Sequence, residues 1–158
     1  MVSVRGAAVG LCHPGARRIA GARAGVTPRR ERTLLQAAVA LTCLVPLSAS
    51  LAGIAFGAAW LQPAAATDMD SHFRYLSGLF LGMAIGFASC IPGIEHKGGR
   101  FRLLGLMVVI GGLARLWSLA ATGTPSAPHM SGLGIELIAV PLLLGWQTRV
   151  ARRCRYRD

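Results

Sequence analysis

The sequence predicts an all-α integral membrane protein, a four-helix bundle with up-down topology. Three observations carry that expectation. Mean hydropathy is +0.52, with 53% of the residues hydrophobic. Residues 33–60 contain no charge, and three more nearly uncharged windows follow at about 75–94, 103–121 and 130–150. The basic residues gather in alternate segments between and beyond these windows. About 20 apolar residues at ~1.5 Å rise cross a hydrocarbon layer ~30 Å thick, so each window is near spanning length.

The first 30 residues are rich in arginine and free of acid, with Gly and Pro interrupting any helical pattern. They read as a basic disordered tail or an over-extended start, preceding a four-span domain at 31–153 and a cytosolic tail at 154–158. An organellar transit peptide has a similar composition, whereas a secretory signal lacks its apolar segment here. Span 1 carries Pro46 near its middle; the missing N–H frees the Thr42 carbonyl and predicts a bend. Span 2 follows the link "QPAAATDMDSHFR", span 3 follows "EHKGGRFR", and span 4 follows "TGTPSAPH". Links this short make consecutive helices antiparallel neighbours.

Charge sets the orientation. The net charge is +11, and Lys97 is the only lysine among 17 basic residues, a bias that suits a GC-rich bacterial genome. The N-terminal tail, the link with Lys97, Arg100 and Arg102, and the C-terminal "RVARRCRYRD" are basic, while the other two links carry little charge. The positive-inside bias then puts both termini in the cytoplasm of a bacterial plasma membrane. Trp60, Tyr75 and Trp117 fall towards the outer interface and Trp146 towards the inner one. Nucleic-acid binding is excluded as the meaning of the charge, because the arginines flank apolar spans and form no base-reading motif.

No catalytic, cofactor or metal motif is complete. Cys12, Cys43, Cys90 and Cys154 form no C-x-x-C pair and have no histidine at zinc spacing, so reduced inert thiols are expected. Small residues recur every four positions at Gly78, Gly82 and Gly86, with a weaker echo at Ala49, Gly53 and Gly57. The spacing predicts close helix packing within the bundle, the alternative being a dimer face.

The informative residues are the charges inside the apolar windows. Arg115 lies six residues before the expected outer end of span 3, and Glu136 six residues into span 4, each about 9 Å deep. A charge in hydrocarbon costs ~2.5–3.5 kcal/mol on insertion scales, and pairing reduces that cost, so Arg115 and Glu136 are expected to face each other. The alternative is an arginine that snorkels to the headgroups, with a protonated, hydrogen-bonded glutamate. Above them, "DMDSHFRYLSG" places Asp70 and Arg74 four apart, with His72 and Tyr75 beside them. His72 has the chemistry of a proton shuttle, and Asp70 that of a helix-start acid. Asp70, His72, Arg74, Tyr75, Arg115 and Glu136 are therefore the candidate ligand-binding residues of a polar ring at the outer end.

The stretches "SHFRYLSGLFLGMAIGFASCIPGIE", "FRLLGLMVVIGGLARLWSL" and "ELIAVPLLLGWQTRVARR" resemble the bacterial membrane family catalogued as domain of unknown function 4345, over residues 31–153. The most specific parts are "SHFRYLSG" and the pattern of Gly112, Arg115, Glu136 and Pro141. The resemblance implies a small four-helix membrane protein and assigns no catalytic residue. A looser similarity in size and span count is to DoxX-like four-helix membrane proteins, an analogy of architecture alone. The first functional expectation is a binding or accessory module that recognises a lipid, a quinone or a partner helix, with a homo-oligomer as a further candidate assembly. Behind it stand a proton-coupled transporter using Glu136 and His72, and a quinone-linked oxidoreductase. The former lacks any sign of inverted repeats, the latter the paired histidines or cysteines of a redox centre.

Overall fold

The computed structural model describes residues 27–155. Every regular element among them is helical. Helix α1 spans Pro28–Phe56 and begins with a proline in its first turn, where the absent N–H is not missed. Its start lies inside the segment expected as a tail, so residues 28–30 are helical instead; residues 1–26 lie outside the described residues. Pro46 is carried within α1 without ending it. The helix stops at Gly57, short of the expected Trp60. There φ is +65°, a backbone conformation that glycine takes without strain, and the Gly57 N–H donates to the Gly53 carbonyl at 3.0 Å. A short 3-10 turn, Ala58–Trp60, follows.

Helix α2 spans Thr67–Ala88 and α3 spans Gly98–Thr122. The last rod is built from α4 (Ala127–Gly134), a π-helical turn (Ile135–Ala139) and α5 (Val140–Arg155). The π turn stands directly before Pro141. Proline offers no N–H to the Leu137 carbonyl and crowds it, and the chain widens so that the Val140 N–H donates to Ile135 five residues back. The expected C-terminal tail is still helical at 154 and 155, and residues 156–158 lie outside the described residues.

The rods close a ring: α1 packs along α2 and against α5, α3 packs against the α4–α5 rod, and α2 meets α3 more lightly. The segments Arg29–Phe56, Gly98–Thr122 and Ala127–Cys154 are long and apolar enough to cross a membrane. Helix α2 is not among them, because its first two turns carry Asp68, Asp70, His72 and Arg74. Large apolar side chains point away from the bundle on every rod, among them Leu41, Ile85, Trp117 and Leu142. A helix apolar on its outer face suits lipid better than water. The tightest core lies at the end of the bundle holding the α2–α3 link, where Leu35, Val39, Cys90, Ile94, Phe101 and Val150 are buried together.

The glycine pattern on α2 is corrected by this packing. Gly78 and Gly82 are exposed and have no neighbour within 4 Å of a Cβ position, and only Gly86 meets another rod, at Leu104 of α3. Helix α2 instead turns Ser77 and Ala84 inward, flanked by the partly buried Phe73, Phe80 and Phe87. One residue along a helix is a rotation of about 100°, which carries the glycine at 78 off the face occupied by Ser77. The close approach belongs to the weaker pattern on α1: a Cβ at Gly53 would lie 3.0 Å from that of Ser77.

Candidate functional site

The face of α3 turned to the last rod is set by spacing. Gly105 and Gly112 are buried and sit where Leu144 and Leu137 press in; a Cβ on Gly112 would come within 2.8 Å of Leu137 Cδ2 and 2.9 Å of Glu136 Cβ. The rods can approach this closely only because the side chain is absent. Arg115 is one turn further along the same face, about 10 Å from the C-terminal end of α3. Its Nη2 donates to Glu136 Oε1 at 3.2 Å, which is also an ion pair. The arginine side chain is 35% exposed and the glutamate 10%. The two opposite charges expected to meet do so.

Glu136 belongs to the π turn, and its second oxygen, Oε2, is buried without a hydrogen-bond partner. The residue forms part of the wall of a half-open cleft between the rods, with a cavity volume of about 70 Å³. Val39 and Pro46 of α1, Phe80 of α2 and Val108 of α3 supply apolar walls. Phe87 and Phe101, packed edge to face at 5.3 Å, close it towards the tight core. Pro46, expected only as a bend, is thus a wall residue. Nothing in the sequence revealed the cleft, because it arises from how four separate faces meet.

Asp70 and Arg74 do other work. Arg74 Nε donates to Asp70 Oδ2 at 2.8 Å, and Oδ1 accepts from the Ala58 N–H at 2.8 Å. Arg74 Nη1 also donates to the Ile54 carbonyl and, at 3.3 Å, to that of Ala55. A guanidinium on the last carbonyls of a helix satisfies orphan acceptors and complements the dipole, so this pair clasps the end of α1 to the start of α2. The hydrogen bonds from Arg74 and from the Ala58 N–H hold the Asp70 carboxyl below the usual carboxylate range. Gly57 lies under the clasp, where a Cβ would come 2.6 Å from Arg74 Nη2. His72 and Tyr75 are exposed, with ring centroids 6.4 Å apart. Among the described residues, no hydrogen bond or ion pair joins these four to Arg115 or Glu136. Asp70–Arg74 and Arg115–Glu136 are thus two ion pairs with separate partners.

A polar cluster at the other end was missed. Glu31, 7% exposed, is held by Arg153 Nη1 at 2.6 Å and Arg149 Nε at 3.1 Å, tying the start of α1 to the end of α5. Arg32 Nε lies 3.1 Å from Glu95 Oε2, an ion pair without the alignment of a hydrogen bond. Two glutamines anchor the α2–α3 link, Gln36 Nε2 donating to Ile91 O at 2.7 Å and Gln147 Nε2 to Ile94 O at 2.9 Å. Lys97 Nζ donates to Ser89 O at 2.6 Å. The one available signal was that Glu31 and Glu95 are rare acids among the arginines of the basic segments.

No curated protein and no solved structure matches the chain at a significant level. A protein family does, over residues 34–147, which include Ser71, His72, Arg74, Gly112, Arg115, Glu136 and Pro141. Matched over these residues, the chain belongs to the family described as domain of unknown function 4345 (DUF4345).

Proposed function

We propose that the chain is a multi-pass protein of the bacterial plasma membrane that serves as a binding or accessory module, with its polar site at the outer end of the bundle. In this account α2 crosses as a fourth span, the rods alternate in direction, and both termini face the cytoplasm. The short links and the alternation of basic and weakly charged segments support that arrangement. Lipid, a quinone or a partner helix is the class of ligand the site would meet, and homo-oligomers remain within its scope.

The observation that carries the proposal is the Arg115–Glu136 pair, whose glutamate forms part of the wall of a largely apolar cleft. Ionisable groups inside a membrane domain are costly, and a functional site is the default account of them. A proton relay gains less support, because His72 has no hydrogen-bonded connection to Glu136 among the described residues. The test is native mass spectrometry of the full chain released from lipid nanodiscs. A small molecule or lipid retained by the unaltered protein and lost from Arg115→Met supports a binding module; equal retention by both overturns it.

A further inference from the structure

We infer that the cleft takes a neutral amphiphile whose head is a hydroxyl, the O–H donating to Glu136 Oε2 and the apolar tail lying between α1, α2 and α3. This rests on the binding role proposed above and deepens it by naming the ligand's chemistry.

The donor requirement follows from the wall. An ionised carboxylate only accepts hydrogen bonds. Arg115 occupies Oε1, and Oε2 is buried with no partner, on a side chain nine-tenths buried. A buried acceptor left unsatisfied carries its full desolvation penalty, which a bound donor would relieve. The rest of the wall offers no competing polar group of that strength. The Thr42 hydroxyl already donates to the Ala38 carbonyl at 2.9 Å, and Cys43 is a weak donor at best. A quinone carbonyl, a phosphate or a carboxylate would set acceptor against acceptor at Oε2. A hydroxyl would not.

Neutrality follows from the charge count. Among the described residues, Glu136 is the only ionisable side chain on the cleft wall apart from the Cys43 thiol, and Arg115 balances its charge. An ammonium head would leave one positive charge in excess, and an anionic head one negative, in surroundings that solvate neither. A hydroxyl adds no charge. The cleft is half open, and its remaining walls are apolar and suit an aliphatic or prenyl tail that extends out of it.

The experiment uses the full chain in phosphatidylcholine nanodiscs and four photoactivatable C12 probes with the same mid-chain diazirine. Their heads are a primary alcohol, its methyl ether, a primary amine and a carboxylate. Labelled peptides are mapped by mass spectrometry. The alcohol is expected to label cleft residues such as Phe80, Val108 and Leu143 about tenfold more than the ether, since a hydrogen bond to a charged group is worth at least that ratio. The combined variant Arg115→Met with Glu136→Leu keeps the cleft but removes its acceptor, and should label equally with both. Equal labelling by alcohol and ether in the unaltered protein, or stronger labelling by the amine or carboxylate, overturns the hydroxyl assignment while leaving a binding module standing. Absence of cleft labelling with every probe overturns both. The comparison of heads within the unaltered protein decides the matter even if the variant fails to fold.

Discussion

Removing either member of the Arg115–Glu136 pair should destabilise the protein, and removing both should cost less than the sum. In Arg115→Met the glutamate keeps its buried position but loses its donor at 3.2 Å; in Glu136→Leu the guanidinium loses its acceptor. Breaking a buried ion pair by deleting one partner typically costs ~3–5 kcal/mol. The arginine is 35% exposed here and its long stem lets the guanidinium turn to polar surroundings, which lowers the figure for Glu136→Leu to ~1–2 kcal/mol. The glutamate has no such escape, so Arg115→Met should cost more, ~2–3 kcal/mol. The double variant replaces two charges by apolar side chains in apolar surroundings and should recover ~1–2 kcal/mol of that sum. Reversible unfolding in mixed micelles with increasing dodecyl sulfate, followed by tryptophan fluorescence, measures each corner of the cycle. Single-variant costs that add to within ~0.5 kcal/mol would refute the coupling and favour two groups acting separately.

Adjacent glycines should behave oppositely: Gly112→Ala drives a methyl against Leu137 and Glu136 and should cost ~1–3 kcal/mol in the same unfolding assay, whereas Gly111→Ala meets nothing and should gain up to ~1 kcal/mol of helix propensity. Gly78→Ala and Gly82→Ala should leave the monomer's stability no lower, and a shift in oligomer distribution on sedimentation would assign that face to association. The Asp70 carboxyl is lowered in the folded state by Arg74 and the Ala58 N–H, so the clasp's contribution is complete above the unfolded carboxyl's pKa and fades as pH falls through the lower folded value. Protection from hydrogen exchange at the end of α1, taken relative to the intrinsic rate at each pH, should therefore fall under acid conditions, and Asp70→Asn should already show low protection at neutral pH with little further change. Glu31→Gln should weaken the tie between α1 and α5 by ~1 kcal/mol, since both arginines are substantially exposed, and should leave cleft labelling unchanged.

How far the molecule could be read beforehand depended on whether a feature is local. Apolar windows report on single helices, so the rods were visible, but their ends moved: α1 runs from Pro28 to a stop at Gly57, and α2, expected at about 75–94, spans Thr67–Ala88 because its polar first turns are helical too. Arg115 and Glu136 were paired from depth alone, because a charge inside an apolar window has few ways to be accommodated. For Asp70 and Arg74 the spacing of four pointed to the ion pair that forms, but not to its further partners. Those residues lie at a helix start, where the nearest unsatisfied groups are the last carbonyls of α1, and the backbone took them first. The glycine spacing on α2 identified small residues without saying which way they face, a question of helix rotation that only the partner rods decide. Glu31 and Glu95 passed unnoticed among arginines whose number suggested topology alone. The π turn escaped because Pro141 signals that a hydrogen bond is lost, not how the helix re-forms around the loss.

The pairing of Arg115 with Glu136 inside a bilayer can be measured by solid-state NMR dipolar recoupling between guanidinium nitrogen and carboxylate carbon. The protein, labelled at arginine and glutamate, would be compared in lipid with its Arg115→Met counterpart. The 3.2 Å approach of Nη2 to Oε1 predicts strong recoupling at the Glu136 carboxylate that disappears in the variant. A Glu136 carboxylate signal identical in the two samples would contradict the account at its centre.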